Sequence, residues 1–487
     1  MICYPRLFAA AVFALLLTHA HARTWTNAEG KELVAEFVGV NGDRVQLKRQ
    51  SDGRTFEVPV ASLSAADQAF IQEQAASTAT EAAGGSGISD WPGWRGGDQT
   101  GISPDTGLLN SWPNDGPDLE WTYEKAGSGY SSFSVVGGKL YTLGARETQE
   151  ILICLDAASG NELWTADVEM DPQDGYNTGW GAGPRSTPTV SGGMVYVLGV
   201  AGDVVCFDAE NGKEKWRKNL VDDFGGQLSK WGYSESPTVD GDKVLVTPGG
   251  SEGAIVALDK NSGRTIWQST DLTDRAEYSS VVVADVDGKK QYIQLFEKTL
   301  AGLDAESGDV IWKSNWEPGK VAVIPTPVYR DGHVYMTSGY GAGAKLVNIA
   351  GGQAEDVWEN TEMVNHHGGV VLVGDHVYGF TDKKRGNLMC QEFMTGEVAW
   401  MEQDGNALKK GAVHVADGML YCLNEGDGTV TLVEANPRSF SKKGQFQLPK
   451  SSKIRAEKGK IWSHPVVIGG KLYLRDQEYI FCYDVRG

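Results

Sequence analysis

Pro188-Thr-Val-Ser-Gly-Gly-Met-Val-Tyr196 and Asp208-Ala-Glu-Asn-Gly212-Lys-Glu-Lys-Trp216 are the two parts of a repeat that runs through most of the chain. The first part predicts two short strands joined by a glycine turn, because β-branched and aromatic residues flank the two glycines. The second part predicts a turn followed by an outer strand that carries Trp216. Repeats of this length indicate stacked supersecondary units that share one core.

The turn-and-tryptophan part, Asp-x-x-x-Gly-x-x-x-Trp, recurs at fixed spacing. It is present at Asp156/Gly160/Trp164, Asp208/Gly212/Trp216, Asp259/Gly263/Trp267 and Asp304/Gly308/Trp312, and as Glu392/Gly396/Trp400 with Glu in the first position. The strand part can be aligned on Tyr196. The aligned positions are Tyr141, Tyr196, Leu245, Tyr292, Tyr335, Tyr378, Tyr421 and Tyr473, at spacings of 43 to 55 residues. The alignment therefore predicts eight units.

Each period contains four short strand-like runs, which predicts one four-stranded antiparallel sheet per unit. A single sheet leaves apolar residues on both faces, and radial stacking of the sheets buries them. We therefore predict an all-β protein whose main domain, residues 91–487, is an eight-bladed β-propeller. The last unit reaches Asp484 and lacks a fourth strand, while Leu119-Glu120-Trp121-Thr122-Tyr123 stands unattached before the first unit. We predict that this early segment completes the last blade and closes the ring.

The first 22 residues have the pattern of a secretory signal peptide. Arg6 precedes the apolar run from Leu7 to Leu17, and Ala20-His21-Ala22 fits a cleavage site. No later segment contains 18 consecutive apolar residues, so no transmembrane anchor is expected. The sequence predicts an exported protein, soluble after cleavage, in the periplasm or cell envelope.

Residues 23–75 form a separate small module in the sequence. Phe37-Val38, Val45-Gln46-Leu47 and Phe56-Glu57-Val58 are strand-like runs, and Ser64 precedes a short helical pattern. The module resembles the small SH3-like barrel of the actin-adaptor homology domains, which implies a protein- or peptide-binding accessory. Residues 76–90 are rich in Ala, Gly, Ser and Thr and are predicted to be a flexible linker.

The repeated Asp-x-x-x-Gly-x-x-x-Trp motif resembles the tryptophan-docking motif of quinoprotein-type propellers. The lead-in Asp90-Trp91-Pro92-Gly93-Trp94-Arg95-Gly96 is similar to that of a bacterial group of exported proteins with pyrroloquinoline-quinone-like repeats. The resemblance covers roughly residues 90–487. It implies the fold, and it leaves the activity open because the family contains both cofactor enzymes and non-catalytic scaffolds.

Charge and cysteine content narrow the function classes. The formal net charge of −20 repels phosphate backbones and argues against a nucleic-acid partner. Five cysteines remain after signal cleavage, at positions 154, 206, 390, 422 and 482. Three of them occupy equivalent strand positions in different units, too far apart for disulfide bonds. We expect most of the five to be free, buried thiols.

The repeat alignment also predicts which residues line the mouth of the central channel. The eight aligned positions are Tyr130, Arg185, Ser234, Glu277, Ile324, His367, Lys410 and Trp462, with Glu235, His366 and Lys409 beside them. A candidate cofactor site would consist of Arg185, Glu277, His367, Lys410 and Trp462. A flat anionic quinone needs cations for its carboxylates and an aromatic face for its rings. The alternative is that these are the ordinary polar residues of a channel entrance.

Metal and catalytic sites have little support in the sequence. Adjacent strand residues such as His366 and His367 are expected to point to opposite faces and not to share an ion. Asp285-Val286-Asp287-Gly288 is expected to be a hairpin turn. The chain has no adjacent cysteine pair, which the resemblance associates with many alcohol-oxidising quinoproteins. No metal site is predicted, and the catalytic residues remain unknown.

Two functional hypotheses follow. The first is a non-catalytic exported scaffold that binds protein partners and needs no cofactor. The second is a periplasmic oxidoreductase that uses pyrroloquinoline quinone (PQQ) with Ca²⁺ to oxidise an alcohol or sugar. The sequence favours the first and leaves the partner, the substrate and the oligomeric state open.

Overall fold

The computed structural model describes residues 23–26, 31–41, 44–49, 55–64, 67–68, 71, 89–170, 175–319, 322–383, 386–402 and 408–487. The chain divides into two compact units, Met1–Gly87 and Ile88–Gly487. The predicted signal peptide and almost all of the predicted linker lie outside the described residues. Within those residues, no helix combines the length and apolar character of a membrane span.

The N-terminal unit contains a small antiparallel sheet. Its strands pair in chain order as β1 (Arg23–Thr26), β2 (Glu32–Asn41), β3 (Arg44–Arg49) and β4 (Thr55–Pro59), and a 3-10 helix follows at Val60–Ser62. Each of the three predicted strand-like runs lies in one of the last three strands. Trp25 is buried, and its indole N–H donates to the Ala35 carbonyl at 2.9 Å. The backbone N–H of Thr26 donates to the Asp67 carboxylate, which ties the segment after the sheet to β1.

The second unit begins with two strands that join distant sheets, β5 (Ile102–Ser103) and β6 (Asp118–Tyr123). Blades 1 and 2 comprise β7 (Ser134–Val136), β8 (Lys139–Arg146), β9 (Gln149–Asp156) and β10 (Glu162–Met170), then β11 (Thr189–Ser191), β12 (Met194–Leu198), β13 (Asp203–Asp208) and β14 (Glu214–Asn219). Blades 3 and 4 comprise β15 (Thr238–Asp240), β16 (Lys243–Val246), β17 (Val256–Asp259) and β18 (Thr265–Gln268), then β19 (Val282–Val286), β20 (Lys289–Leu295), β21 (Thr299–Asp304) and β22 (Val310–Asn315).

Blades 5 and 6 comprise β23 (Val328–Arg330), β24 (His333–Ser338), β25 (Gly343–Asn348) and β26 (Glu355–Asn360), then β27 (Val370–Val373), β28 (His376–Thr381), β29 (Asn387–Glu392) and β30 (Val398–Met401). Blade 7 comprises β31 (Gly411–Ala416), β32 (Met419–Asn424), β33 (Thr429–Glu434) and β34 (Lys442–Gln447), and blade 8 begins with β35 (Val466–Ile468), β36 (Lys471–Asp476) and β37 (Tyr479–Asp484). The described part of this unit therefore forms eight sheets, antiparallel except where β5 pairs parallel with β31, and is an eight-bladed β-propeller as predicted.

The repeat alignment agrees with the sheets. All eight aligned Tyr or Leu positions lie in the second strand of their blades and are buried. First strands contact the first strands of neighbouring blades, so they surround the propeller axis. Residues just before each first strand consequently reach the mouth of the channel. The five cysteines at positions 154, 206, 390, 422 and 482 are free and buried, as expected.

The ring closes through the segment predicted for that role. β6 pairs antiparallel with β37 and supplies the fourth strand of blade 8, with Trp121 opposite Cys482. Trp121 is buried, and its indole N–H donates to the Ala157 carbonyl of blade 1 at 3.2 Å. The first and last blades are thereby joined through residues that are more than 300 positions apart in sequence.

A lead-in segment, residues 89–112, runs across one end of the channel. It contacts every blade, either through the backbone or through a side chain. The contacts in blade order are Trp91 N to Val135 O, Val190 N to Pro92 O, Gln99 Nε2 to Thr238 Oγ1, Val283 N to Gln99 Oε1, Trp94 Nε1 to Thr326 Oγ1, Arg95 Nη1 to Val370 O, the pairing of Ile102 with Val415, and Gly470 N to Asp105 Oδ2. The lead-in segment is thus a strap that contacts all eight blades.

Candidate functional site

The mouth of the channel contains a cavity of about 180 Å³. Aromatic side chains form most of its wall, namely Trp94, Trp180, Trp231, Trp462, Tyr130, Tyr278 and Tyr340. Histidine and small hydroxyl residues complete it, with Arg185 as the one cation among the lining residues. No lining residue is an aspartate or a glutamate. The cavity is therefore aromatic, mainly apolar and positively charged, although the chain as a whole is strongly acidic.

Trp94, which belongs to the lead-in segment, lines one end of the cavity. Its indole N–H donates to Thr326 Oγ1 at 2.9 Å, and its ring meets His464 edge-on with centroids 4.7 Å apart. Neighbouring blades are fastened at the same level, since the backbone N–H of Ser236 donates to Ser280 Oγ at 2.9 Å and that of Ser280 donates to Thr326 Oγ1 at 3.2 Å. These bonds hold neighbouring blades together beside the cavity and use the hydroxyl of the lining residue Ser280.

Five rings form a continuous arc along one wall. The centroid distances are 5.2 Å from Tyr130 to Trp462, 4.2 Å from Trp462 to His367, 3.8 Å from His367 to His366 and 4.6 Å from His366 to Tyr340. Trp462 and His367 are stacked, with 18° between their planes. The indole N–H of Trp462 donates to Glu425 Oε2 at 3.0 Å, which holds the orientation of the ring. The arc joins residues from blades 1, 8, 6 and 5.

Arg185 supplies the charge of the cavity. Its guanidinium donates to the carbonyls of Gly181 and Gly183, both at 2.8 Å. It also lies 5.5 Å from the centroid of Tyr130 and 5.3 Å from that of Tyr176, distances typical of cation–π contacts. Among the described residues, no carboxylate forms an ion pair with Arg185. Its positive charge is therefore held in place without being neutralised by them.

The histidines of the cavity are neutral near pH 7. Burial lowers the pKa of His366 to about 4, and that of His464 likewise to about 4. Burial also lowers the pKa of His367 well below its ordinary value. The ring of His464 bonds through Nε2 to the carbonyl of His367 at 2.9 Å, so this nitrogen carries the proton. His366 Nε2 and His367 Nδ1 are buried without a hydrogen-bond partner among the described residues.

The structure brings three of the five predicted site residues into the cavity and leaves the other two outside it. Arg185, His367 and Trp462 line the cavity, as do Tyr130, Ser234 and Ile324 from the remainder of the predicted ring. Glu277 and Lys410 are not among the lining residues. Each of these two residues bonds to a group outside the cavity lining.

Glu277 accepts a hydrogen bond from the backbone N–H of Val323 at 3.0 Å, and burial raises its pKa to about 7. Its neighbour Tyr278 lines the cavity instead. Lys410 forms an ion pair with Asp382 at 2.6 Å. Of the neighbouring residues, Glu235 is buried against Thr247 and Lys409 is exposed.

Both members of the histidine doublet line the same cavity, which corrects the expectation that they point to opposite faces. They precede β27, which begins at Val370, so the alternation of a strand does not apply to them. Asp285 to Gly288 form the predicted hairpin turn between β19 and β20, with Gly288 N donating to Asp285 Oδ1. Across the described ranges, no group of three or more His, Cys, Asp or Glu is arranged to hold a metal ion.

The alignment missed five aromatic lining residues, which are Tyr278, one position after the aligned Glu277, and Trp94, Trp180, Trp231 and Tyr340. They lie in the lead-in segment or in loops, where the repeat imposes no register. One signal was present in the sequence, because three of them are tryptophans outside the Asp-x-x-x-Gly-x-x-x-Trp motif. A tryptophan that no docking position explains is a reasonable candidate for a binding wall.

The lining residues fit a quinone with calcium poorly. Trp462 offers a face, but Arg185 is the single cation, whereas the quinone carries about three carboxylates that need charged donors. Calcium requires several oxygen ligands, usually carboxylates, and no carboxylate lines the cavity. The donor set that a PQQ–Ca²⁺ site requires is therefore not assembled by the described residues.

The fold and the aromatic channel mouth define a quinoprotein-type eight-bladed β-propeller. Residues 148–402, more than half of the chain, match the family model described as outer membrane protein assembly factor BamB, and the chain belongs to this family. Residues 18–78 match SLA1 homology domain 1.

The similarity to individual proteins is of two kinds. The chain is 24% identical over 352 residues to outer membrane protein assembly factor BamB of Burkholderia pseudomallei, which covers 63% of this chain and 85% of that protein. It is 28% identical over 156 residues to quinohemoprotein alcohol dehydrogenase of Comamonas testosteroni, which covers 31% of this chain and 21% of the enzyme.

Among solved structures, BamB of Moraxella catarrhalis superposes with a TM-score of 0.53 at 15% identity, over 76% of this chain and 99% of that one. The Comamonas testosteroni enzyme superposes with a TM-score of 0.60 at 14% identity, over 82% and 81% of the two chains. Both comparisons show the same fold.

Proposed function

We propose that this protein is an exported, non-catalytic scaffold of the cell envelope that binds protein partners. The observation that carries the proposal is the extent of the sequence similarity. It spans 85% of the Burkholderia pseudomallei assembly factor but only 21% of the Comamonas testosteroni enzyme. The name of the relative suggests partners in the assembly of outer membrane proteins.

The chemistry of the channel mouth supports the same proposal. A PQQ-dependent oxidoreductase holds its quinone and calcium with several charged side chains, and two of the predicted ones are bonded elsewhere. Glu277 accepts a hydrogen bond from a backbone amide, and Lys410 is paired with Asp382. The remaining cation, Arg185, cannot balance a multiply charged quinone by itself.

The outer strands of the blades offer a surface for partners. Large apolar side chains are exposed there at equivalent places, Leu163 in β10, Ile266 in β18 and Val357 in β26. Each stands next to the buried or half-buried tryptophan of its strand. Outer strands also present an unpaired edge to which another chain can add a strand.

Photo-crosslinking in envelope fractions tests the scaffold directly. A photoreactive phenylalanine derivative at position 163, 266 or 357 of the full chain should give discrete adducts with envelope proteins, identified by mass spectrometry. The control position is Glu210, whose side chain is 83% exposed on a turn. Equal labelling from all four positions, or none from the outer strands, would contradict the proposal.

Titration with PQQ and Ca²⁺ tests the alternative. We expect no saturable binding at micromolar quinone and no dye-linked oxidation of alcohols or sugars. Saturable binding with calcium-dependent dye reduction would replace the scaffold by a quinoprotein oxidoreductase.

A further inference from the structure

We propose that the cavity at the channel mouth binds a small aromatic monocarboxylate of one or two rings, with its carboxylate on Arg185 and its rings against the tryptophan walls. This site is independent of the scaffold function, since it requires no protein partner. The proposal rests on the size, the aromatic walls and the charge of the cavity.

The size limits the ligand. The cavity measures about 180 Å³. A protein cavity of about 150 Å³ with apolar walls accommodates benzene, so a single ring or a fused pair is the matching size. Larger ring systems would have to leave the cavity and extend past Trp180 at the rim, which is 42% exposed.

The aromatic walls of the cavity favour a planar ligand. Trp462 lies 6.2 Å from Trp180 and 5.2 Å from Tyr130, while Trp231 and Tyr278, 6.2 Å apart, belong to the blades on the other side of Arg185. Aromatic rings prefer offset or edge-on contacts at such separations. A planar ring can contact several of these faces at once, whereas a branched aliphatic group cannot.

The charge of the cavity determines which polar group the ligand must carry. A cage of tryptophans and tyrosines without a cation of its own would attract a ligand cation. Here Arg185 lies inside the cavity, no carboxylate lines it, and its three histidines are neutral near pH 7. The net charge of the lining residues is therefore positive, which repels a cation and attracts an anion.

The hydrogen-bonding capacity of Arg185 is only partly used. A guanidinium has five N–H groups, and two of them donate to the carbonyls of Gly181 and Gly183. The two glycine carbonyls and the rings of Tyr130 and Tyr176 hold the group rigidly for a carboxylate, which accepts two parallel hydrogen bonds from it. Buried His367 Nδ1 and Ser234 Oγ, both without a partner among the described residues, provide further polar contacts for the ligand.

Isothermal titration calorimetry of the full chain tests the site with three matched probes, 2-naphthoate, 2-naphthamide and 2-naphthylmethylamine. We expect saturable 1:1 binding of the carboxylate, about tenfold or more weaker binding of the neutral amide, and no binding of the amine. Raising the salt concentration should weaken the carboxylate alone.

Variants separate the contribution of charge from that of the aromatic walls. Arg185→Gln should remove the preference for carboxylate over amide, and Arg185→Lys should keep part of it. Trp180→Ala, at an exposed position where folding is not at risk, should weaken carboxylate and amide alike by several-fold. Arg330→Gln is the control, since Arg330 is paired with Asp375 on a distant turn.

Three results would overturn the proposal. They are tighter binding of the amine than of the carboxylate, equal affinities for carboxylate and amide, and the absence of saturable binding by the native protein at millimolar 2-naphthoate. None of these bears on the crosslinks expected from the outer strands, so failure here is distinguishable from failure of the scaffold function.

Discussion

Gly212 of blade 2 lies directly against the indole ring of Trp164 of blade 1, so close that a β-carbon on the glycine would fall 2.6 Å from the ring. The same contact recurs around the propeller, always between the glycine of one blade and the tryptophan of the blade before it. The pairs are Gly160 with Trp121, Gly263 with Trp216, Gly308 with Trp267 and Gly396 with Trp358. The motif Asp-x-x-x-Gly-x-x-x-Trp therefore encodes both halves of an interface between blades.

Substitution of Gly212 by alanine should destabilise the propeller by about 2–4 kcal/mol, because the new methyl group collides with a packed ring. Gly192 is the matched control. Both glycines have positive φ, 70° and 58°, but a β-carbon at Gly192 meets no atom within 4 Å. Gly192→Ala should cost only about 1 kcal/mol from backbone strain. Urea denaturation of the two variants measures the difference, and equal losses would show that the ring contact contributes nothing.

Closure of the ring should depend on Trp121. Its replacement by alanine removes a buried indole that packs between blades 8 and 1, and should lower the free energy of unfolding by about 3–5 kcal/mol. Leu119→Ala in the same strand is the control, since Leu119 is 44% exposed, and should change it by less than about 0.5 kcal/mol. Deletion of residues 115–125 should lower the melting temperature and cause aggregation through the open edge of β37. An unchanged melting temperature in the deletion variant would contradict the closure.

The strap should be stabilised by Gln99. Its side-chain amide donates to Val281 O and accepts from Val283 N, both at 2.9 Å. These are the two hydrogen bonds that a neighbouring strand would form with the backbone of blade 4. Gln99→Leu leaves both backbone groups without this partner and should cost about 2 kcal/mol. Gln445→Leu on the exposed face of β34 is the control and should have little effect. Chemical denaturation compares the two variants, and similar values would mean that the strap does not depend on this amide.

Glu235 should make stability depend on pH. Burial raises its pKa to about 8, although hydrogen bonds from Thr247 oppose the shift. Because the pKa is higher in the folded than in the unfolded chain, the stabilisation is complete below the unfolded value of about 4.5 and is lost as the pH rises through 8. Glu235→Gln stays neutral throughout, so its stability relative to the native protein should rise by about 1.4 kcal/mol per pH unit from pH 5 to 8.

Urea denaturation of native and Glu235→Gln proteins at pH 5.5, 7 and 8.5 measures this slope. Glu317→Gln serves as the control, since its side chain is 82% exposed. A stability difference between Glu235→Gln and the native protein that stays constant with pH would show that Glu235 is ionised in the folded state.

The sequence alone was enough to predict the number of blades, the register of each second strand and the closing strand. The first two of these features are repeated, and each is specified locally. A glycine with positive φ and an acid that caps the turn fix one hairpin, as where Ser159 N donates to Asp156 Oδ1 at 2.8 Å. The tryptophan eight residues after the acid then packs on the next blade. Five copies of this motif and eight aligned second strands make the alignment secure even where Leu245 replaces a tyrosine.

The side chains that enter the cavity are selected by tertiary contacts and could not be read from the sequence. The residues that lead into each first strand are irregular, and a shift of one position turned Glu277 towards Val323 and Tyr278 towards the axis. Lys410 forms an ion pair with Asp382 and does not line the cavity. Trp94 reaches the cavity from a segment 232 residues before its hydrogen-bond partner Thr326. Such contacts arise because eight blades converge on one axis and place loops of unrelated sequence side by side, and no periodic pattern along the chain records that convergence.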